Sequence, residues 1–222
     1  MKASYVDVRI TDAITYLSAK NLLDACYDSA NYSTNAFCST FQRDSTGQIT
    51  SFESGYYNIA NYDTQALQAT LEYTFSLQRL GMPIDAGTID LQGNYVHYFK
   101  NQQNYLASAY PLTGNTASPR DNFTINTTWQ RGAFSAQWQT MWYGPSAFML
   151  QVPANTYEDN QRPPFVQFNL ALSYDITKNL STSFVINNVT DAVPDYPGTY
   201  SLARYYEALI GRSFQMQIGA SF

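Results

Sequence analysis

Charge is scarce in this chain: Asp, Glu, Lys and Arg together make 13% of 222 residues, about half the share found in an average soluble domain. Histidine occurs once and cysteine twice. Twelve Lys and Arg against seventeen Asp and Glu leave a net charge of −5, with a pI near 4.7. That balance speaks against a nucleic-acid partner, whose phosphates need clustered cations. No block of about eighteen apolar residues exists from which to build a membrane-spanning helix, and the mean hydropathy is only −0.32. Two sulfurs with His97 far away make a poor zinc site, so no metal and no cofactor is expected. What is abundant is aromatic and uncharged polar. Tyr, Phe and Trp reach 16% of the chain, nineteen of them Tyr, and Asn, Gln, Ser and Thr fill much of the rest. One membrane architecture remains open to such a composition: the β-barrel, whose apolar residues are dispersed by alternation.

The alternation is present. A barrel strand puts apolar side chains at every second position over about ten residues. Near the C-terminus Phe214, Met216, Ile218, Ala220 and Phe222 share one face, against Ser213, Gln215, Gln217, Gly219 and Ser221. Residues 165–176 set Val166, Phe168, Leu170, Leu172, Tyr174 and Ile176 against Gln167, Asn169, Ala171, Ser173 and Asp175. Residues 66–77 set Leu67, Ala69, Leu71, Tyr73, Phe75 and Leu77 against Gln68, Thr70, Glu72, Thr74 and Ser76. Weaker copies fall at 5–11, 89–99, 123–130, 134–142 and 180–187, giving eight candidate strands. The polar face carries amides and hydroxyls rather than the Lys and Glu of a soluble sandwich, which suits a hydrated lumen.

Connections alternate in length. Arg131-Gly132 and Thr177-Lys178-Asn179 read as hairpin turns, and Leu80 to Gly87 as a somewhat longer one. Between them lie long connections at about 15–54, 100–121, 144–163 and 190–210. Short periplasmic turns and long external loops are the pattern of outer-membrane barrels. In the longest loop Ser18 is a helix N-cap candidate, with Leu22 and Leu23 expected to pack down. Cys26 and Cys38 enclose a ring that an oxidising compartment would close, with a stabilisation of about 3 kcal/mol; two free thiols in a cytosolic protein are the other reading.

No residue set suggests catalysis. A covalent or acid–base site needs a nucleophile with an oriented base. His97, between Tyr95 and Phe99, is expected to face lipid near the outer rim, and nothing in the sequence marks an Asp or Ser partner for it. Asp7, Arg9, Glu72, Asp90 and Asp175 are expected on the lumen face as cross-strand ion pairs. Trp129, Trp138 and Trp142 fit an interfacial girdle. The loop aromatics Tyr105, Tyr110, Tyr143, Phe148 and Tyr157 are the candidate ligand contacts. With so few charges beside them, stacking on a sugar or another flat small molecule suits them better than ion capture.

Several stretches resemble the TonB-dependent receptors of Gram-negative outer membranes. They are Val8-Arg-Ile-Thr-Asp-Ala-Ile14, Leu23-Asp-Ala-Cys-Tyr27, Phe37-Cys38, Arg43-Asp44 and Gly47-Gln48-Ile49. Tyr57-Asn-Ile-Ala60 is similar to the family's turn into a long descending strand, and Phe184 to Pro194 to its penultimate strand and exit. The resemblance implies an all-β, antiparallel transmembrane barrel segment of about eight strands, the last third of a barrel of twenty-two. It further implies a short helix in an external loop, an outer-membrane location and a role in substrate uptake. Phe214, Met216, Ile218 and the terminal Phe222 resemble the signal read by the barrel-assembly machinery. The partners implied are outer-membrane lipid, that machinery, the remaining barrel and plug portion, TonB only through that portion, and a small-molecule or oligosaccharide ligand. Residues 1–222 are therefore expected to form a C-terminal barrel part with neither plug nor signal peptide. A standalone eight-stranded porin or adhesin-like barrel is the alternative.

Overall fold

The chain is described from a computed structural model, in which residues 1–31, 34–105, 108–153, 155–193 and 210–221 are placed. In chain order the elements begin with β1 (Lys2–Leu17), α1 (Ala19–Tyr27), β2 (Phe41–Arg43), β3 (Ile49–Phe52) and β4 (Gly55–Ser76). Next come β5 (Thr88–Tyr105), β6 (Ser108–Pro111), β7 (Asp121–Arg131), β8 (Phe134–Tyr143) and β9 (Ser146–Ala147). The chain continues through β10 (Gln161–Arg162), β11 (Phe165–Thr177), β12 (Leu180–Asn187) and β13 (Ser213–Ala220). Among the described residues no helix is long and apolar enough to cross a membrane.

The eight expected strands are all present, in one sheet of order β1-β4-β5-β7-β8-β11-β12-β13, with β6 added beside β5. Each long strand pairs with the next one in the chain, as an up-and-down wall requires. Among the described residues the path is not closed, and β1 and β13 each carry one unpaired edge.

Register explains why one face is apolar from strand to strand. Tyr95 of β5 lies opposite Phe123 of β7, Phe123 opposite Trp142 of β8 and Trp142 opposite Val166 of β11. Lower on the same face Trp138 meets Leu170, Leu170 meets Ile186, and Ile186 meets Phe214 of β13. A one-residue slip would move each of these sets to the polar side, so every strand fixes the register of its neighbour. Trp129 and Trp142 sit toward opposite ends of this face. Trp129 packs edge-on to Phe134 near the short-turn ends, and its indole N–H donates to the Ala86 carbonyl at 2.9 Å. Trp142 stacks on Phe123 near the long-loop ends, with ring centroids 5.3 Å apart.

The contacts divide the chain into two compact units. The first comprises residues 1–6, 65–99 and 112–222 and holds most of the wall. Its apolar face is bare: Phe214, Met216 and Ile218 are 62%, 68% and 66% exposed. The second comprises residues 7–64 and 100–111 and has a small interior in which Leu17, Leu22, Cys26 and Ala60 are fully buried. Ser18 caps α1 as expected, its hydroxyl accepting from the Asn21 backbone N–H while the Asn21 side chain reaches back to the cap. Leu22 on the inner side of this helix is buried, and Leu23 is partly covered. Cys26 and Cys38 form a disulfide.

Three strands are longer than alternation suggested. β1 runs on to Leu17, β4 begins at Gly55 and β5 ends at Tyr105. In β1 the reason is Asp12, which has a left-handed φ of 54°. Such a residue shifts the alternation without ending the strand, and the Asp12 N–H is met by the Asn61 side chain at 3.3 Å.

Candidate ligand-facing wall and loops

The polar face is organised by amides. In register across adjacent strands stand Gln92 and Asn126, then Gln139, then Asn169. Gln139 donates to Asn126 at 2.9 Å and Asn169 donates to Gln139 at 2.8 Å. The side chain of the buried Gln167 donates to Asn169 Oδ1 at 3.1 Å, and so does the backbone N–H of Asn188 at 2.8 Å. Side-chain amides carry both donors and acceptors, so such a row can pair internally and still offer groups to water or to a ligand. It presents no net charge.

Phe148 and Tyr157, from the connection between β8 and β11, meet edge to face at 5.4 Å and 86°. The guanidinium of Arg162 lies 5.7 Å from the Phe148 ring centroid, and Arg162 is only 5% exposed. β9 and β10 hold this arrangement by pairing Ser146 with Arg162, and the Asn160 side chain bonds both ways to the Met149 backbone, at 2.9 Å and 2.8 Å. The base of the loop is tied to the connection after β6, where the Ala147 N–H donates to the Gly114 carbonyl at 2.7 Å. Tyr143 instead ends β8, opposite Asn122 and Phe165. Tyr110 lies on β6 opposite Gln103 and is 37% exposed. Tyr105 ends β5 opposite Ser108.

In the second unit Arg43 joins two aromatic rings. Its guanidinium donates to the Tyr27 hydroxyl at 2.7 Å and lies 5.5 Å from the Phe41 ring centroid; Phe41 stacks on Phe52 at 5.5 Å. Beside it the Asp44 carboxylate accepts from the Thr46 hydroxyl at 2.6 Å and the Gln48 N–H at 2.9 Å. Those bonds, the hydroxyl first, hold Asp44 below the usual carboxylate range. Lys20, paired with Asp24 one turn along α1, is held above its ordinary value by that side-chain bond. Sequence reading missed Arg43 and Arg162 as partners of the aromatics, because a cation–ring contact joins residues with no fixed spacing. The only advance signal was the rarity of cations.

Three expectations are corrected by the geometry. His97 does have an acidic partner: its Nδ1 lies 2.6 Å from Asp121 Oδ1, which also accepts from the Tyr95 hydroxyl at 2.6 Å. Register brings His97 opposite Asp121, although twenty-four residues separate them. Asp90 accepts from the Thr74 hydroxyl at 2.6 Å rather than from a cation. Arg9 reaches Asp7 of its own strand at 3.5 Å, besides acting on Asp63 of the neighbouring β4. Phe214, Met216 and Ile218 share one face of β13 and are exposed; Phe222 lies outside the described residues.

Alternating faces, aromatics at both ends of the wall, short turns at one end and long loops at the other define the chain as an outer-membrane-type β-barrel wall. The family model for the TonB-dependent receptor-like β-barrel matches residues 1–189, and the chain belongs to that family. Solved structures agree in fold at low identity. The outer membrane transporter YddB of Escherichia coli superposes with a TM-score of 0.61 at 13% identity, over 99% of this chain and 30% of that one. The ferric enterobactin receptor PfeA of Pseudomonas aeruginosa gives 0.58 at 17% identity, over 99% and 28%. The ferripyoverdine receptor of the outer membrane of the same organism gives 0.53 at 14%, over 99% and 24%. The chain thus spans about three-tenths or less of the length of these receptors. No curated protein sequence matches it.

Proposed function

We propose that this chain is the C-terminal wall of a Gram-negative outer-membrane receptor, supplying strands and external loops to the uptake of a small molecule. The observation that carries the reading is the apolar face kept in register over six consecutive strands of a sheet with two open edges. In hydrocarbon each edge would expose about four or five unmet N–H or C=O groups, at several kcal/mol apiece. That exceeds the roughly 5–15 kcal/mol by which a domain is stable. The edges of β1 and β13 therefore pair with further strands, and the lumen so formed is lined by the amide row. Energised transport through TonB belongs to the assembled receptor. The Phe148–Tyr157 pair supports a ligand with a flat face, and Arg162 beneath it favours one carrying partial negative charge.

Two measurements test this. Refolded into vesicles with the complementary barrel portion, the chain should give a heat-modifiable, protease-protected product; alone it should give neither. A closed barrel from the isolated chain would replace the reading with that of a standalone eight-stranded barrel. In the assembled receptor, Phe148→Ala with Tyr157→Ala should weaken capture of whichever probe binds from a panel of ferric enterobactin and linear oligosaccharides by about tenfold. Unchanged affinity would remove these aromatics from the site.

A further inference from the structure

The amide row on the polar face has a direction, and that direction is set at one end by Asn188. This residue follows β12 in a left-handed conformation, with φ of 53°, and is 1% exposed. Its side chain closes a ring on Ala192, donating to the carbonyl at 2.8 Å and accepting from the N–H at 2.9 Å. The next N–H, that of Val189, donates to the Phe168 carbonyl of β11 at 2.7 Å. Asp191 donates back to the Asn188 carbonyl at 2.9 Å and accepts from the Arg212 N–H, just before β13, at 2.7 Å. So held, the Asn188 backbone N–H meets Asn169 Oδ1 at 2.8 Å.

A side-chain amide can face either way, but a backbone N–H can only donate. The Asn188 N–H, joined by the Gln167 amide at 3.1 Å, therefore fixes the oxygen of Asn169 toward itself. The Asn169 NH₂ is then turned to β8, where it donates to Gln139 Oε1 at 2.8 Å. Gln139 passes the same sense on, its NH₂ donating to Asn126 Oδ1 at 2.9 Å. Each amide accepts on one side and donates on the other, and bonds aligned in this way polarise one another. The row ends on β7 with the NH₂ of Asn126, which has no partner among the described residues. Its register neighbour on β5, Gln92, is exposed, so the row opens there to the lumen. An oxygen that only accepts completes the row; an N–H aimed at the same point meets another donor.

We propose that Asn126 is a ligand-binding residue, that Asn169 and Asn188 position it, and that the row selects a neutral ligand rich in acceptor oxygens, such as ethers, esters or carbonyls. This deepens the uptake role proposed above and rests on it. Such oxygens carry the partial negative charge that Arg162 favours among the loops. The selectivity comes from bond direction rather than from charge, which this face of the wall does not offer along the row.

The test uses the assembled receptor in vesicles and two probes: permethylated maltotriose, whose oxygens only accept, and maltotriose, whose hydroxyls turn either way. Asn169→Asp keeps the bonds from Gln167 and Asn188 but cannot donate, so Gln139 and Asn126 turn over and the row ends in an oxygen. Affinity for permethylated maltotriose should fall about tenfold while that for maltotriose changes little. Gln137→Glu, on β8 and opposite Ala171 and Thr128, adds the same charge outside the row and should leave both affinities unchanged. Solid-state NMR of isotope-labelled asparagine gives a second readout. The Asn126 NH₂ should exchange with water faster than that of Asn169 in the unaltered receptor, and should slow about tenfold in Asn169→Asp. No binding of permethylated maltotriose by the unaltered receptor, equal losses for both sugars, or an Asn126 NH₂ already protected overturns the proposal. Should Asn169→Asp fail to fold, Asn126→Ala decides: it should show the same selective loss, and unchanged affinity overturns the proposal. Heat-modifiable migration is read on every sample: its loss in the unaltered receptor would defeat the membrane-wall reading instead.

Discussion

The two units of this chain bury apolar side chains in opposite ways. In the second unit Leu17, Leu22, Cys26 and Ala60 are sealed inside a capped helix, extended strand ends and a disulfide, as in a small protein dissolved in water. In the first unit the large residues of β13 face outward and the covered side chains include polar ones, among them Gln167 at 4% and Asn188 at 1% exposure. The difference is one of solvent. Where water surrounds the chain, apolar area is removed from it; where hydrocarbon does, amides turn inward and pair with each other.

The sharpest way to break this comparison is to make the same kind of damage in both units. Leu22→Ala should cost the second unit about 2–5 kcal/mol, the price of a buried cavity, read as faster proteolysis within residues 18–60 of the assembled receptor. Met216→Arg should cost the wall about 2–4 kcal/mol, as for a cation at mid-bilayer, whereas Gln217→Arg on the other face should cost much less. Urea titration in vesicles separates the two; equal costs would mean that the faces are not differently solvated. Similar in size is the effect of opening the Cys26–Cys38 ring. Cys26→Ser with Cys38→Ser should loosen the second unit by about 3 kcal/mol, seen in hydrogen exchange, and leave heat-modifiable migration of the barrel unchanged.

The smallest effect expected is that of pH on the hairpin of β2 and β3. Because bonds to Thr46 and Gln48 lower the folded-state value of Asp44, its contribution is fully present above the unfolded value of about 3.9 and is lost as pH falls through the folded one. Amide exchange of Thr46 and Gln48 should therefore rise only in acid, and Asp44→Asn should flatten that profile.

How much could be read beforehand differs between the units for the same physical reason. Period-two alternation located all eight wall strands, since lipid on one side and water on the other imprint every second residue. It failed at 12–17 and 55–65, where the left-handed Asp12 interrupts the period and the chain packs around Leu17 and Ala60. Ser18, Leu22 and the cysteines were legible because capping and ring closure are local. The contacts of Arg43 and Arg162 with rings, and of Asp121 with His97, were not, since they depend on register and loop closure rather than spacing.

The central claim, lipid on one side of each strand and water on the other, is tested most directly by spin labels placed singly from residue 213 to 220 in the assembled receptor in vesicles. Collisions with oxygen should peak at 214, 216, 218 and 220 while collisions with a water-soluble nickel chelate peak at the intervening positions. A profile without that two-residue period would contradict the account.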